Sequence, residues 1–178
     1  MRLSLKLVPS ILAVWWCSAP LAESLNLKFT NAQCEVLDKS FGSFEKCYLK
    51  ALDRHNVSLD LYLKLYQLPL KSLKWHAQLF HRGNGFRPLL YNNTMDFCLF
   101  MKNPKRWMFW KIIWDAVLPY TNLNHTCPIN HDVIIKSLIL QMDMIKLIPF
   151  PPNTYMLRLR YFNDKSSGVE VRVNIDHY

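Results

Sequence analysis

The chain lacks the short motifs that identify the common enzyme classes. Its 178 residues contain no Gly-x-Ser-x-Gly elbow, no His-Glu-x-x-His sequence and no glycine-rich phosphate loop. No two cysteines have the close spacing of a zinc knuckle. We therefore expect a non-enzymatic protein that binds neither a metal ion nor a cofactor.

Long apolar runs and internal boundaries are also scarce. After residue 22, no apolar stretch reaches the roughly 20 residues that a membrane-spanning helix needs. No linker, internal repeat or low-complexity segment divides the chain. We expect residues 23–178 to form a single soluble domain that is large enough for a sizeable core.

The first 22 residues have the pattern of a signal peptide. The basic residues Arg2 and Lys6 precede the apolar residues 7–17, and small residues follow. We expect cleavage after Ala22, with Ser24 as the alternative site. A retained anchor is disfavoured because the apolar run is too short to span a membrane. The predicted location of the mature protein is therefore extracellular.

The sequence is basic, with 22 Lys and Arg residues against 13 Asp and Glu residues. Two basic residues belong to the signal peptide, so the mature chain has a formal net charge of 20 − 13 = +7. This charge suits anionic head groups, acidic glycans or an acidic protein surface, whereas secretion and scattered basic positions speak against nucleic acid. One cluster, formed by Lys102, Lys105, Arg106 and Lys111, is more simply explained as a solvated rim.

Four cysteines remain after cleavage, which is an even number in a secreted chain and predicts two disulfides with three possible pairings. Cys34 and Cys47 lie symmetrically about the turn-like residues 38–43, so in an antiparallel hairpin they would face each other. This geometry favours Cys34–Cys47. Cys98–Cys127 would then bracket the helical segment described below.

Most of the mature chain alternates between apolar and polar residues, as strands do. The alternation is clearest over residues 57–66, and it recurs in a C-terminal hairpin formed by residues 155–161 and 169–175. A further strand is predicted from Leu89 to about Met101, after the turn Gly83-Asn84-Gly85. About seven short strands indicate a mainly β protein, an antiparallel immunoglobulin-like β-sandwich. The residues expected to point between the sheets, and to line any ligand cavity there, are Leu59, Leu61, Leu63, Trp75, Leu157, Leu159, Val171 and Val173.

One segment has helical spacing instead. Asn103-Pro104 suits an N-cap and first turn, and Trp107, Trp110 and Trp114 then follow on one stripe of a short amphipathic helix. The simpler interpretation is that this stripe packs on a sheet. The functional alternative is an apolar lid or membrane-contacting edge beside the mouth of a cavity, since Trp favours boundaries between polar and apolar surroundings.

A few polar groups allow two interpretations, a structural role or a functional one. His125 and His131 lie near Cys127 and Asp132 and could form a metal cluster, but an oxidised Cys127 cannot be a ligand, so a polar loop is favoured. Asp96 is either an inward carboxylate or, more simply, a cap for a neighbouring backbone group. The sequons predict surface glycosylation at three asparagines. These are Asn56, Asn92 and Asn124.

Four segments together resemble a known family. They are FTNAQCEVLDKSFGSFEKCYLKALDRHN (29–56), RGNGFRPLLYNNTMDFC (82–98), NHTCPINHD (124–132) and PFPPNTYMLRLRYF (149–162). They resemble an insect secreted family, catalogued largely as a domain of unknown function, that includes the contact-chemosensory B proteins. That family is regarded as similar to the myeloid-differentiation-2-related lipid-recognition (ML) superfamily, which includes the ganglioside activator. The resemblance implies an ML-like cup that holds lipid between its sheets.

Two function classes follow. The first is a secreted carrier of a lipid or other hydrophobic small molecule, such as a pheromone or cuticular lipid in chemosensation. The second is a secreted protein-interaction module that modulates a membrane receptor or channel without a lipid ligand. The residues of a packed core and of a lined cavity are the same, so cavity volume is the discriminating observation.

Overall fold

The computed structural model of the chain describes residues 26–144 and 150–178. The predicted signal peptide and its cleavage sites lie outside these residues. The described strands are β1 (Leu27–Val36), β2 (Gly42–Ala51), β3 (Val57–Leu65), β4 (Lys74–Gly83), β5 (Gly85–Asp96), β6 (Val133–Ile139), β7 (Asn153–Asn163) and β8 (Ser166–His177). The α-helices are α1 (Phe97–Lys102) and α2 (Met108–Val117), and the 3₁₀ turns are Pro104–Arg106, Leu118–Tyr120 and Met142–Met144.

The strands form two antiparallel sheets. A five-stranded sheet has the order β1-β8-β7-β4-β5, and a three-stranded sheet has the order β2-β3-β6. Apolar residues from both sheets and from α2 share one core cluster. The prediction of a mainly β sandwich with antiparallel sheets and little helix is confirmed.

The alternation in sequence explains which strand faces are buried. In β3, the odd-numbered residues from Val57 to Leu65 are all buried, whereas Asp60, Tyr62 and Lys64 retain exposure. Successive side chains of a strand point to opposite faces, so a period of two places one apolar row against the facing sheet. The same rule buries Val169, Val171 and Val173 of β8.

The cysteine pairing is confirmed, but the hairpin from which it was inferred is wrong. Cys34 and Cys47 form a disulfide with a Cα–Cα distance of 6.2 Å. However, β1 pairs with β8 and β2 pairs with β3, so these cysteines belong to different sheets. The chain crosses from one sheet to the other after Val36, and each strand finds its partner elsewhere. The bridge therefore ties the two sheets together across the sandwich.

The segment after β5 also differs from its prediction. The strand ends at Asp96, five residues before the predicted end at Met101, because the Asp96 carboxylate accepts a hydrogen bond from the Leu99 backbone N–H at 2.9 Å and caps α1. Cys98 in α1 then forms the second predicted disulfide with Cys127, at a Cα–Cα distance of 5.4 Å. Within the described ranges, no helix is long and apolar enough to cross a membrane.

The tryptophan helix begins later than predicted. Asn103 makes no side-chain capping bond, Pro104–Arg106 form a 3₁₀ turn, and the α-helix starts only at Met108. Trp107 therefore precedes the helix and does not share the stripe of Trp110 and Trp114, which are both buried. The packing interpretation of the stripe holds for these last two residues.

Candidate functional site

An apolar cavity of about 190 Å³ lies between the sheets. Its wall is formed by the inward rows of β3, β4, β7 and β8, by β6, and by most of α2. No charged side chain is among the described residues that line it. Hydroxyl groups on its wall come from Thr121 and Tyr161, and the remaining lining side chains are aliphatic, aromatic or thioether groups.

The residues predicted to face the interior are brought together on this wall. The lining includes Leu59, Leu61, Leu63, Trp75, Leu157, Leu159, Val171 and Val173, together with Trp110 and Trp114. Trp107 is the exception, because it lies before the first turn of α2 and packs against the core without lining the cavity. Its prediction as a lining residue is corrected.

Helix α2 contributes lining residues that the sequence analysis missed. Phe109, Ile112, Ile113 and Ala116 all line the cavity. Their spacing of three to four residues is visible in the sequence, beside the more conspicuous tryptophan stripe. The helix is apolar over most of its circumference because Trp110 and Trp114 both line the cavity and pack in the aromatic cluster, and these four residues extend the lining beside them.

A cluster of aromatic rings forms one part of the wall. The Trp75 ring stacks on Phe97 with centroids 4.5 Å apart, and it meets Tyr161 edge-on at 5.3 Å. The Trp114 and Trp110 rings lie 5.6 Å and 6.2 Å from Trp75. Strands β4 and β7 and helices α1 and α2 thus converge on Trp75, and the cluster fixes its indole in place.

Polar atoms in this cluster are few and unpaired. The Nε1 atoms of Trp75 and Trp110 are buried, and neither has a hydrogen-bond partner within the described part of the chain. Burial also raises the pKa of the Tyr161 hydroxyl, which therefore remains protonated and available as a donor. The two indole nitrogens are sealed within the aromatic cluster, so the surface that the wall presents to the cavity is almost entirely apolar.

The outer face of the five-stranded sheet has the opposite character. Glu170 of β8 is only 3% exposed, and its carboxylate lies 2.6 Å from the Arg172 Nε and 3.0 Å from an Arg160 guanidinium nitrogen. Arg158 is 3.6 Å away. Burial by itself raises the pKa of Glu170, but the hydrogen bonds from Arg160 and Arg172 outweigh it and hold that pKa below its usual range.

The histidine pair forms a polar loop contact. The Nε2 atoms of His125 and His131 are 2.7 Å apart. The Asp132 carboxylate accepts hydrogen bonds from the Tyr62 hydroxyl and the Leu65 backbone N–H, both at 2.9 Å. The described residues contain no group of three or more His, Cys, Asp or Glu side chains that could hold a metal ion.

The three sequon asparagines are exposed, and their glycosylation stays a prediction. Asn56 lies in the loop before β3, and Asn124 lies in the loop before Cys127. Asn92 lies on the edge strand β5, where its Oδ1 is 2.6 Å from the His76 Nε2. In the basic cluster, Lys102, Lys105 and Arg106 are exposed, as a solvated rim requires.

Comparison with known proteins adds one finding. A family model described as a protein of unknown function (DUF1091) matches residues 75–157. This region runs from the first part of β4 into β7 and includes α2, the Cys98–Cys127 disulfide and much of the cavity wall. No curated protein matches the chain. The chain is therefore similar, over this region, to an uncharacterised domain family.

Proposed function

We propose that the protein is a secreted, non-enzymatic carrier that binds a lipid or another small hydrophobic molecule between its two sheets. The observation that carries this proposal is the apolar cavity beneath α2, whose wall has no charged side chain among the described residues. Ligand sites are typically concave and mostly apolar, with a small number of placed polar groups. This cavity has those properties.

The cavity volume limits the ligand to a small one. About 190 Å³ is roughly six times the ~30 Å³ that one water molecule occupies in the liquid. It is below the roughly 300–1,000 Å³ of pockets for drug-sized molecules. A single short hydrocarbon or acyl chain, or one small ring, suits this space. An apolar cavity of comparable size in another protein stays dry and binds such ligands.

Secretion is supported by the two disulfides, which form and persist in oxidising compartments. The chemosensory role, with a pheromone or cuticular lipid as ligand, is suggested by the resemblance to the insect family and to the ML superfamily. A volatile or semi-volatile molecule with a single hydrocarbon chain would match the cavity in size.

The alternative is a protein-interaction module that modulates a membrane receptor or channel. It is favoured by the outer sheet face, where Arg158, Arg160 and Arg172 surround Glu170 and leave a net positive surface for an acidic partner. That role does not require the cavity. The test below therefore separates the two functions.

The deciding experiment uses protein secreted from eukaryotic cells with both disulfides formed. Organic extraction and mass spectrometry of the purified protein should reveal a co-purifying apolar molecule. In parallel, a fluorescent apolar probe should bind and be displaced by short-chain hydrocarbons. If no apolar molecule co-purifies and no probe binds, the carrier function is refuted and the interaction module takes its place.

A further inference from the structure

The sequon on β5 lies at the free edge of the five-stranded sheet. We propose that Asn92 carries an N-linked glycan that blocks this edge against pairing with a second copy of the chain. The inference requires the secretory route that the proposed function also assumes, because N-glycans are attached to secreted proteins. It does not require a ligand in the cavity.

The backbone of β5 has unused hydrogen-bonding groups. Among the described strands, β5 ends the order β1-β8-β7-β4-β5, so β4 is its one neighbour in the sheet. Backbone groups of residues 85–95 make no hydrogen bond beyond the ladder with β4 within the described ranges. Asn92, Asn93 and Thr94 are all exposed. A row of free N–H and C=O groups therefore faces solvent, and such a row is a template for another strand.

The other edge strands carry charged side chains along their length. Strands β1, β2 and β6 also lie at sheet edges, and a register shift interrupts the ladder of each. Charged residues in these strands include Lys28, Glu35, Lys46, Lys50 and Lys136. Charges and bulges both hinder the pairing of an edge with another chain. These three edges are therefore protected by their own sequence.

Most of β5 has no such protection. Its charged residues are Arg87 and Asp96, near its two ends, and residues 88–95 (PLLYNNTM) have no charge. Pro88 and the register shift that follows it disturb the first part of this run, whereas residues 92–96 pair regularly with 74–78 of β4. A regular, uncharged edge favours association between chains. The sequon lies within this part of the strand.

The side chain of Asn92 is placed to carry a glycan. Its Oδ1 lies 2.6 Å from the His76 Nε2, whereas its Nδ2, the atom to which an N-glycan is attached, has no hydrogen-bond partner in the described part of the chain. The link would therefore leave the contact with His76 intact. Gln78 pairs with Asn92 and Thr94 pairs with His76, so the surrounding side chains on this face are polar. A glycan here would cover no apolar surface.

A glycan at this position would prevent the approach of a second β5. Two copies that pair edge to edge would form a two-fold dimer with one continuous sheet. Side chains on one face of adjacent strands lie about 4.5–5.5 Å apart across the pair. The glycan is bulky and hydrophilic, so two of them could not share this space. The glycosylated protein should therefore remain a monomer.

The first measurement is the occupancy of the sequon. Protein secreted from eukaryotic cells should be digested with and without peptide N-glycosidase and mapped by mass spectrometry. The enzyme converts a glycosylated asparagine to aspartate, so the conversion identifies the modified site. We expect Asn92 to be converted.

Matched variants test what the glycan does. Asn92→Gln and Thr94→Ala both destroy the sequon, and each should yield species of about twice the monomer mass or larger, in proportions that rise with protein concentration. Asn92→Lys also removes the glycan, but it places a charge on the edge and should remain a monomer. Asn124→Gln removes a sequon in a loop and should also remain a monomer. Light scattering after size-exclusion chromatography measures the mass, and similar urea midpoints would show that association does not follow from unfolding.

The outcomes separate this inference from the proposed function. An unmodified Asn92, an Asn92→Gln protein that stays monomeric, or association that Asn92→Lys does not prevent would each overturn the inference. If Asn92→Gln is not secreted, a secreted and monomeric Asn92→Lys supports the inference, and a failure of both contradicts it. Absence of glycan from all three sequons would count against secretion as well. The binding of an apolar probe tests the carrier function independently of these results.

Discussion

Replacing Ala116 by leucine tests whether the interior of the sandwich is an open cavity. Ala116 lies on α2, is partly buried and lines the cavity. Leucine is nearly as good a helix former as alanine, so the helix itself should tolerate the change. The substitution adds three carbon atoms to a space of about 190 Å³.

Whether the substitution stabilises or destabilises the protein depends on whether that space is empty. Burying three carbons at about 0.8 kcal/mol each, less about 0.5–1 kcal/mol for the ordered leucine rotamer, should raise the free energy of unfolding by about 1–2 kcal/mol. For the predicted mature domain of 178 − 22 = 156 residues, this corresponds to a Tm increase of about 2–8 °C. In a fully packed core, the same added bulk would instead cost about 1–3 kcal/mol.

The matched control is Ala77→Leu. Ala77 is 0% exposed and does not line the cavity, so the same added atoms should destabilise the protein there. Both variants should be compared by urea and thermal unfolding with the disulfides intact. The affinity for an apolar probe should fall more than tenfold in Ala116→Leu, because the leucine occupies ligand space. Destabilisation equal to that of the control, with unchanged probe affinity, would show that no usable cavity exists.

Three further predictions concern the framework around the cavity. Removing the inter-sheet bridge by Cys34→Ala with Cys47→Ala should lower the free energy of unfolding by about 3 kcal/mol in urea titrations, and an unchanged midpoint would contradict its structural role. Glu170→Gln should cost about 1–3 kcal/mol at neutral pH, because it removes the buried carboxylate that Arg158 and Arg160 share with Arg172, and Glu35 remains as a partner for Arg172 alone. Folding lowers the pKa of Glu170. The stabilisation that Glu170 gives the unmodified protein is therefore complete above the ordinary carboxyl pKa of 4.5 and is lost as the pH falls through the lowered value. The difference in unfolding free energy between the two proteins should shrink in acid. Asp96→Ala removes the cap of α1 and should cost about 1 kcal/mol, whereas Asp96→Asn should retain most of it, and equal loss in both would argue against capping.

The strand faces could be predicted from the sequence because the side-chain period of a strand is two. In β3, one alternating row from Val57 to Leu65 fixed both the strand and its buried face, since a shift of one residue would expose every leucine. The same logic placed Leu157 and Val173, which pair across β7 and β8, on the cavity wall that Leu61 lines from the other sheet. Local pattern was sufficient where one face alone is buried.

Long-range strand pairing could not be predicted in the same way. The segment between Cys34 and Cys47 has the local form of a hairpin turn, yet Cys34 lies opposite Val171 and Cys47 lies opposite Leu61. Whether β1 folds back onto β2 or joins the other sheet depends on its partner β8, which lies more than a hundred residues away in the sequence. The apolar run after Asp96 was mistaken for strand for a related reason, because a short buried helix and a buried strand have similar composition.

The cavity was inaccessible to sequence reasoning because its volume depends on how far apart the sheets lie. At roughly 24 cal/mol per Å³, a space of about 190 Å³ that side chains do not fill costs about 4.6 kcal/mol of unfolding free energy. The disulfides close segments of 13 and 29 residues, which corresponds to about 3 and about 3.6 kcal/mol of stabilisation in the chain-entropy model. The two effects are similar in size and opposite in sign. Because Cys34–Cys47 also joins the two sheets between which this space lies, it offsets part of that cost, and the sandwich can remain stable around an interior that its own side chains do not fill.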